Sequence, residues 1–288
     1  MKQFDLKIDI PLDSFNLEHI FECGQCFRWE KIDEYSYIGI IDDTVLKVKI
    51  DNDKLVISGV TDKKDIQNYL IEYFDLNRDY SNIKSKLSSI DKYMKESIDY
   101  GYGIRILNQN IWECIISYII SANNNIPRIK KIINNLSTRF GKKVTFEGNN
   151  YYLFPTIDQL ATASVEDFRA AGAGFRDIRL YNTTQAIYNK DFNLSKLIQI
   201  NDTNEIEKIL LELDGVGPKV ANCIMLFSLK RFDVFPVDVW VRRVMNELYI
   251  HAKDENKINS KEIVKLAHDK FGDLSGIAQQ YLFYWRRD

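Results

Sequence analysis

Cysteine, proline and glycine are all scarce, at 4, 5 and 13 of 288 residues. With 45% apolar residues alongside, that scarcity excludes a collagen-like, low-complexity or disordered chain. Four cysteines are too few for a disulfide framework over this length. Cys23 and Cys26 have zinc-like spacing, but no second Cys or His pair completes a site, and His19, His251 and His268 lie far apart. The pair reads as two small semi-buried thiols rather than as a zinc ligand set, and no metal or other cofactor is expected. Also absent is a run of about 18 uncharged apolar residues, so no membrane-spanning helix is expected. The opening MKQFDLKIDIPLDSF has regular acidic residues and no apolar signal core, and the last residues, Tyr284 to Asp288, carry no targeting tail. With lysine well in excess of arginine, the expectation is a cytosolic protein of bacterial type.

A strong net charge is missing too. The formal value is −2, which argues against a nonspecific nucleic-acid coat. Its distribution says more. Residues 1–100 hold 14 Lys+Arg against 20 Asp+Glu, whereas residues 101–147 hold 7 against 2 and residues 215–245 hold 5 against 2. Two local basic patches on a neutral protein suit a site that grips a few phosphates, although solvated helix faces would look similar.

Length suggests about two domains. In Phe4, Leu6, Ile8 and Ile10 apolar groups alternate with polar ones, the period of a half-buried strand. Further β-like runs at 35–40, 44–50 and 54–60 are separated by turns at Asp42-Asp43 and Asp51-Asn52-Asp53. Beyond residue 64 the period becomes helical. Ile83, Leu87, Ile90, Met94 and Ile98 form one stripe, read as one amphipathic helix. Ile111 to Ile120 reads as a buried helix, and Ile129, Ile132, Ile133 and Leu136 mark another, closed by Gly141. Thr156 with Gln159 and Asn259 with Glu262 have capping-box spacing. The expected fold is α+β, with a small antiparallel β-rich N-terminal domain (1–100) packed on a mainly α-helical body (101–288).

The most informative stretch runs from Leu213 to Met245. An amphipathic helix from Asn204 ends at Leu213, the chain turns through Gly215-Val216-Gly217-Pro218, and a new helix begins near Lys219. Two glycines at a helix N-terminus expose backbone N–H groups, and such a turn can cradle a phosphate; a plain corner between two helices fits the same four residues. Lys219 stands where the helix macrodipole and apolar neighbours both disfavour an ammonium, leaving a more nucleophilic amine. Nineteen residues on, Pro236-Val237-Asp238 precedes the helical pattern Val239 to Leu248, which makes Asp238 an N-cap held ionised by backbone donors.

At these residues the sequence resembles the helix-hairpin-helix DNA glycosylases, whose signature is a Gly-Val-Gly hairpin with Pro-Val-Asp about twenty residues later; the motif here spans about 204–231. Lys219 resembles the lysine of the bifunctional members, which alkyl-base and adenine glycosylases lack. Endonuclease III-like members add a C-terminal four-cysteine iron–sulfur cluster, whereas here the second half holds only Cys223. The remaining subfamily is the 8-oxoguanine DNA glycosylase/lyases. Gly24-Gln25-Cys26-Phe27-Arg28-Trp29 resembles its Gly-Gln-x-Phe-Arg-Trp element. Asn108 to Arg128 resembles its helix and Asn-rich loop, Gly174-Phe175-Arg176 its Gly-Tyr-Arg element, and Gly276 to Gln279 with Phe283 its pocket helix.

That resemblance implies a monomeric repair enzyme acting on duplex DNA that carries 8-oxoguanine, preferably opposite cytosine. It implies Lys219 as nucleophile and Asp238 as its carboxylate partner. Gly24 would accept from N7–H of the lesion, Gln279 would bind the Watson–Crick edge, and Cys223 and Phe283 would sandwich the ring; simple core packing is the other reading of that pair. Phe175 would fill the gap in the stack, with Asn123, Arg128 and Arg176 on the orphaned cytosine. Gly215, Val216, Gly217 and Trp240 complete the expected DNA contacts. The chain departs from the better-known eukaryotic pattern at Phe175, where tyrosine is usual, at Trp240, where histidine is usual, and at Cys26, where serine is usual. Two other functions remain open: a glycosylase of this fold for another oxidised or alkylated base, and a noncatalytic DNA-binding protein that would need neither Lys219 nor Asp238.

Overall fold

In the computed structural model, which describes residues 1–287, the alternating N-terminal segment is strand β1 (Lys2–Asp9). It pairs with β5 (Lys54–Thr61), then β4 (Thr44–Asp51), β3 (Ser36–Ile41) and β2 (Trp29–Lys31), in one antiparallel sheet of order β1-β5-β4-β3-β2. The tight turns fall at the predicted aspartates and asparagine; Asp42 and Asn52 take positive φ, which short polar side chains tolerate. β2 was not anticipated, because three residues are too few to show a period.

Helix α1 (Leu17–Phe21) precedes β2, and α2 (Ile66–Tyr73) follows the sheet. The predicted long helix over residues 83–98 is instead two, α3 (Tyr80–Ser88) and α4 (Lys92–Tyr100). The break comes at Asp91, whose carboxylate caps the Met94 N–H at 2.9 Å, and it leaves Ile90 exposed. Then come α5 (Ile111–Ser121), α6 (Ile126–Phe140), α7 (Ile157–Leu160), α8 (Val165–Ala170), α9 (Asp177–Tyr188), α10 (Leu194–Gln199) and α11 (Thr203–Leu210). The series ends with α12 (Pro218–Ser228), α13 (Val239–Met245), α14 (Ser260–Phe271) and α15 (Ser275–Arg287). A hairpin, β6 (Lys143–Phe146) with β7 (Asn149–Tyr152), interrupts the expected all-helical body; its Glu147-Gly148 turn has positive φ at both residues. The Thr156/Gln159 capping box forms, whereas Asn259 caps through the Lys261 N–H instead.

Two large cores divide the chain, and a small third one joins Val45 of the sheet to Val144, Phe146 and Leu153. The sheet, α1 and α2 enclose Phe21, Trp29, Leu46, Leu70 and Phe74. The helical core takes in Ile83, Leu87, Met94 and Ile98, so α3 and α4 pack with the later helices rather than with the sheet. Cys23 lies in the helical core and Cys26 in the sheet core, so the two thiols serve different layers. Between the layers sits Arg105, 0% exposed, donating to the carbonyls of Ser14, Phe74, Asp75 and Arg78. The helical body thereby presents α5, α12 and α15 beside the loop that joins α1 to β2.

Candidate active site

That loop carries Gly24, at φ +82°. A Cβ there would lie 3.2 Å from the Phe283 ring on α15, so only glycine lets the backbone approach the ring without strain. Both flanks are clamped. The Cys23 carbonyl accepts from Gln280 Nε2 at 2.8 Å, and the Gln25 carbonyl accepts from Gln109 Nε2 at 2.7 Å and the Tyr118 hydroxyl at 2.9 Å. The buried Gln25 side chain donates to the carbonyls of Ile20 and Arg105 and accepts from the Leu107 N–H, each at 2.8 Å. One turn of helix before Phe283, Gln279 is 4% exposed and its Oε1 has no hydrogen-bond partner among the described residues. An unpaired buried acceptor costs about 1–3 kcal/mol, which a ligand donor would recover.

The hairpin forms as read, with α12 starting at Pro218, a residue suited to the first helical position. Gly215 has φ +86°, and the Asp214 carbonyl before it is held by Thr183 Oγ1 at 2.7 Å. Val216 is buried and anchors the turn; Gly217 faces open space. One residue into α12, half-buried Lys219 points its Nζ at Ser121 Oγ, 3.3 Å away, and 5.4 Å from the Tyr118 ring centroid. Asp238 caps α13 through the Val241 N–H at 2.8 Å. Cys223 lies one turn after Lys219, 4% exposed. Burial pushes its thiol pKa up, Lys219 opposes the shift by its charge and a hydrogen bond to the sulfur, and the Asp238 carboxylate adds to it.

Around this cleft lie the expected DNA contacts. Phe175 is 57% exposed on the turn Gly174–Arg176, and Trp240 is 46% exposed at the start of α13, its ring 5.2 Å from the Arg243 guanidinium. Asn123 takes φ +51° in the loop after α5, and exposed Arg128 follows on α6. Arg176 differs from the open guanidinium expected of a base reader. It is 1% exposed and donates to the carbonyls of Ala122, Asn123 and Ala173. Beneath the Asn123 loop it braces a left-handed backbone, and the ring of Phe175 covers it at 4.2 Å.

Comparison with known proteins agrees with this geometry. Residues 7–115 match the N-terminal domain of 8-oxoguanine DNA glycosylase, and residues 116–268 match the HhH-GPD superfamily of base excision DNA repair proteins. The N-glycosylase/DNA lyase OGG1 of Arabidopsis thaliana is 30% identical, over 98% of this chain and 80% of its own. The chain belongs to the OGG1-type N-glycosylase/DNA lyases of the HhH-GPD superfamily. Within that family, the Clostridium acetobutylicum 8-oxoguanine glycosylase/lyase bound to duplex DNA with cytosine opposite 8-oxoguanine is 44% identical. Its TM-score is 0.90, over 99% of this chain and 98% of that one. The apo form of the same enzyme gives 47% identity and a TM-score of 0.87, over 94% and 93%.

Membership of this glycosylase/lyase family accounts for the lysine in the hairpin, but several participants escaped the sequence. Ser121 accepts from Lys219, Tyr118 and Gln109 bond the Gln25 carbonyl, and Gln280 bonds the Cys23 carbonyl, on either side of Gly24; none was singled out. A signal did exist: Tyr118 and Ser121 are polar groups on a largely apolar helix, where each needs a partner.

Proposed function

We propose that the protein is a bifunctional 8-oxoguanine DNA glycosylase and abasic-site lyase, preferring cytosine opposite the lesion. The observation that carries this reading is that Tyr118, whose hydroxyl holds the Gln25 carbonyl beside Gly24, also has the Lys219 Nζ 5.4 Å from its ring centroid, so the lysine and the Gly24 loop share one cleft. A base inside a duplex is out of reach, so the damaged nucleotide is extruded, at a cost of a few kcal/mol. The Gly24 carbonyl accepts from the N7–H that 8-oxoguanine has and guanine lacks. Gln279, with its unpaired Oε1, takes the Watson–Crick edge. Phe283 and Cys223 cover the two ring faces, and stacking on an aromatic contributes about 1–3 kcal/mol.

The neutral Lys219 amine forms a bond to C1′ as the bond from C1′ to the base breaks, and the base departs with the electron pair and gains a proton. Asp238 stabilises the developing cationic sugar. Ring opening yields a Schiff base; loss of a proton from C2′ then expels the 3′ phosphate. Phe175 fills the vacated stack, Asn123 and Arg128 face the orphaned cytosine, and Arg176 acts by bracing Asn123. Gly215 and Gly217 offer backbone donors to a phosphate, Val216 anchors the turn with its N–H on the Leu213 carbonyl, and Trp240 packs against the strand. The enzyme acts as a monomer on cytosolic chromosomal DNA.

The test is borohydride trapping on a duplex with one 8-oxoguanine opposite cytosine, beside undamaged guanine and the Lys219→Gln variant. A covalent adduct that needs both lesion and lysine is expected. Trapping or strand cleavage by Lys219→Gln at the wild-type rate would overturn the nucleophile assignment.

A further inference from the structure

Lys219 hydrogen-bonds the Cys223 thiol and the Ser121 hydroxyl, and the hydroxyl's own proton is already committed. The Lys219 Nζ lies 3.3 Å from Ser121 Oγ, and that hydroxyl donates to the Tyr118 carbonyl at 2.7 Å. A hydroxyl has a single proton and two lone pairs. With the proton spent on Tyr118, all that Ser121 can offer Nζ is an acceptor. A neutral amine there gives one N–H to the hydroxyl and its other N–H to the Cys223 sulfur, which leaves its lone pair unengaged. A hydroxyl free to rotate would instead donate to that lone pair and quench the nucleophile.

The residue that orients the hydroxyl is itself fixed at both ends. The Tyr118 hydroxyl donates to the Gln25 carbonyl, the next residue after Gly24. Its ring stacks on Phe227 of α12 at 5.5 Å and meets Phe27 edge-on at 5.6 Å. One turn of α5 thus carries the bond that steadies the Gly24 loop and the bond that aims the lysine.

We infer that Ser121 is a positioning residue for Lys219, its hydroxyl turned by the Tyr118 carbonyl so that the amine presents its lone pair to the sugar carbon. This rests on the proposed role of Lys219. Tyr118 makes the arrangement sensitive to whether the Gly24 loop is in place, so base reading and nucleophile alignment share one support.

Single-turnover trapping with the 8-oxoguanine duplex, run over a range of duplex concentrations, separates the possibilities. Ser121→Ala is expected to lower the saturating rate about tenfold while leaving the half-saturating concentration within about twofold. Ser121→Thr keeps a hydroxyl able to bond the carbonyl three residues back, and is expected to recover most of the loss. A wild-type rate for Ser121→Ala, a parallel change in half-saturation, or a threonine variant as slow as the alanine one would each overturn the inference. Lys219→Gln, run alongside, keeps the two claims apart. If it still forms product, the nucleophile reading fails; if it is inactive while Ser121→Ala is fast, only the positioning role fails.

Discussion

Two glycine turns meet at this cleft, and they are built to opposite specifications. The Gly24 loop is tied down on both flanks by side chains from α5, α15 and the segment at 105–109, and it packs against an aromatic ring. Among the described residues, the Gly215–Gly217 turn has no flanking clamp of side chains beyond Thr183 on the preceding Asp214 carbonyl; its Val216 N–H closes back on the Leu213 carbonyl, and Gly217 faces open space. A carbonyl that must tell one extra N–H from none cannot drift by even a few tenths of an ångström, because hydrogen bonds weaken steeply with geometry. Donors that hold a phosphate have no such demand, since charge attraction falls off slowly and carries no base information. Rigidity is concentrated where discrimination is made, not where affinity is.

Gly24→Ala should break the contrast most severely. At φ +82° an alanine is strained, and its methyl would press on Phe283, so lesion excision should fall at least about 100-fold. Binding to undamaged duplex, measured by fluorescence anisotropy, should hardly change. Gly215→Ala should do the reverse. Its φ of +86° and 3.1 Å approaches to Arg179 and Ile119 would deform the turn, weakening damaged and undamaged duplex alike by about tenfold. Equal losses on both duplexes would sharpen the division of labour; a loss confined to lesion DNA would break it. Smallest is Gly217→Ala, where the methyl meets no protein atom within 4 Å. The melting temperature should stay within about 1 °C while duplex affinity drops about threefold, because the methyl blocks only the phosphate's approach.

What could be read in advance follows the range of the interactions. The sheet, the buried α5 and the hairpin with Lys219 and Asp238 are written in local patterns of period, turn and cap. The rest of the pocket came from resemblance, since nothing local marks Gly24 or Gln279 as partners across more than 250 residues. Where local reading went astray, competing short-range chemistry was the cause. Asp91 caps a new helix in the middle of an unbroken apolar stripe, and the Glu147-Gly148 turn makes a hairpin inside a helical region. Arg176 is a different case: the resemblance put its guanidinium on the orphaned cytosine, and only the fold shows three carbonyls gathered round it.

All four cysteines are free and buried. Burial pushes the Cys23 thiol up to about 11 and those of Cys26, Cys114 and Cys223 upward as well. Peroxides and disulfides attack the thiolate, and a shielded thiol kept protonated reacts slowly with either. On the proposed function, the protein is called on when oxidants have already reached the chromosome. Its own sulfur chemistry is then closed to the agents that create its substrate, and repair capacity should outlast the stress that requires it.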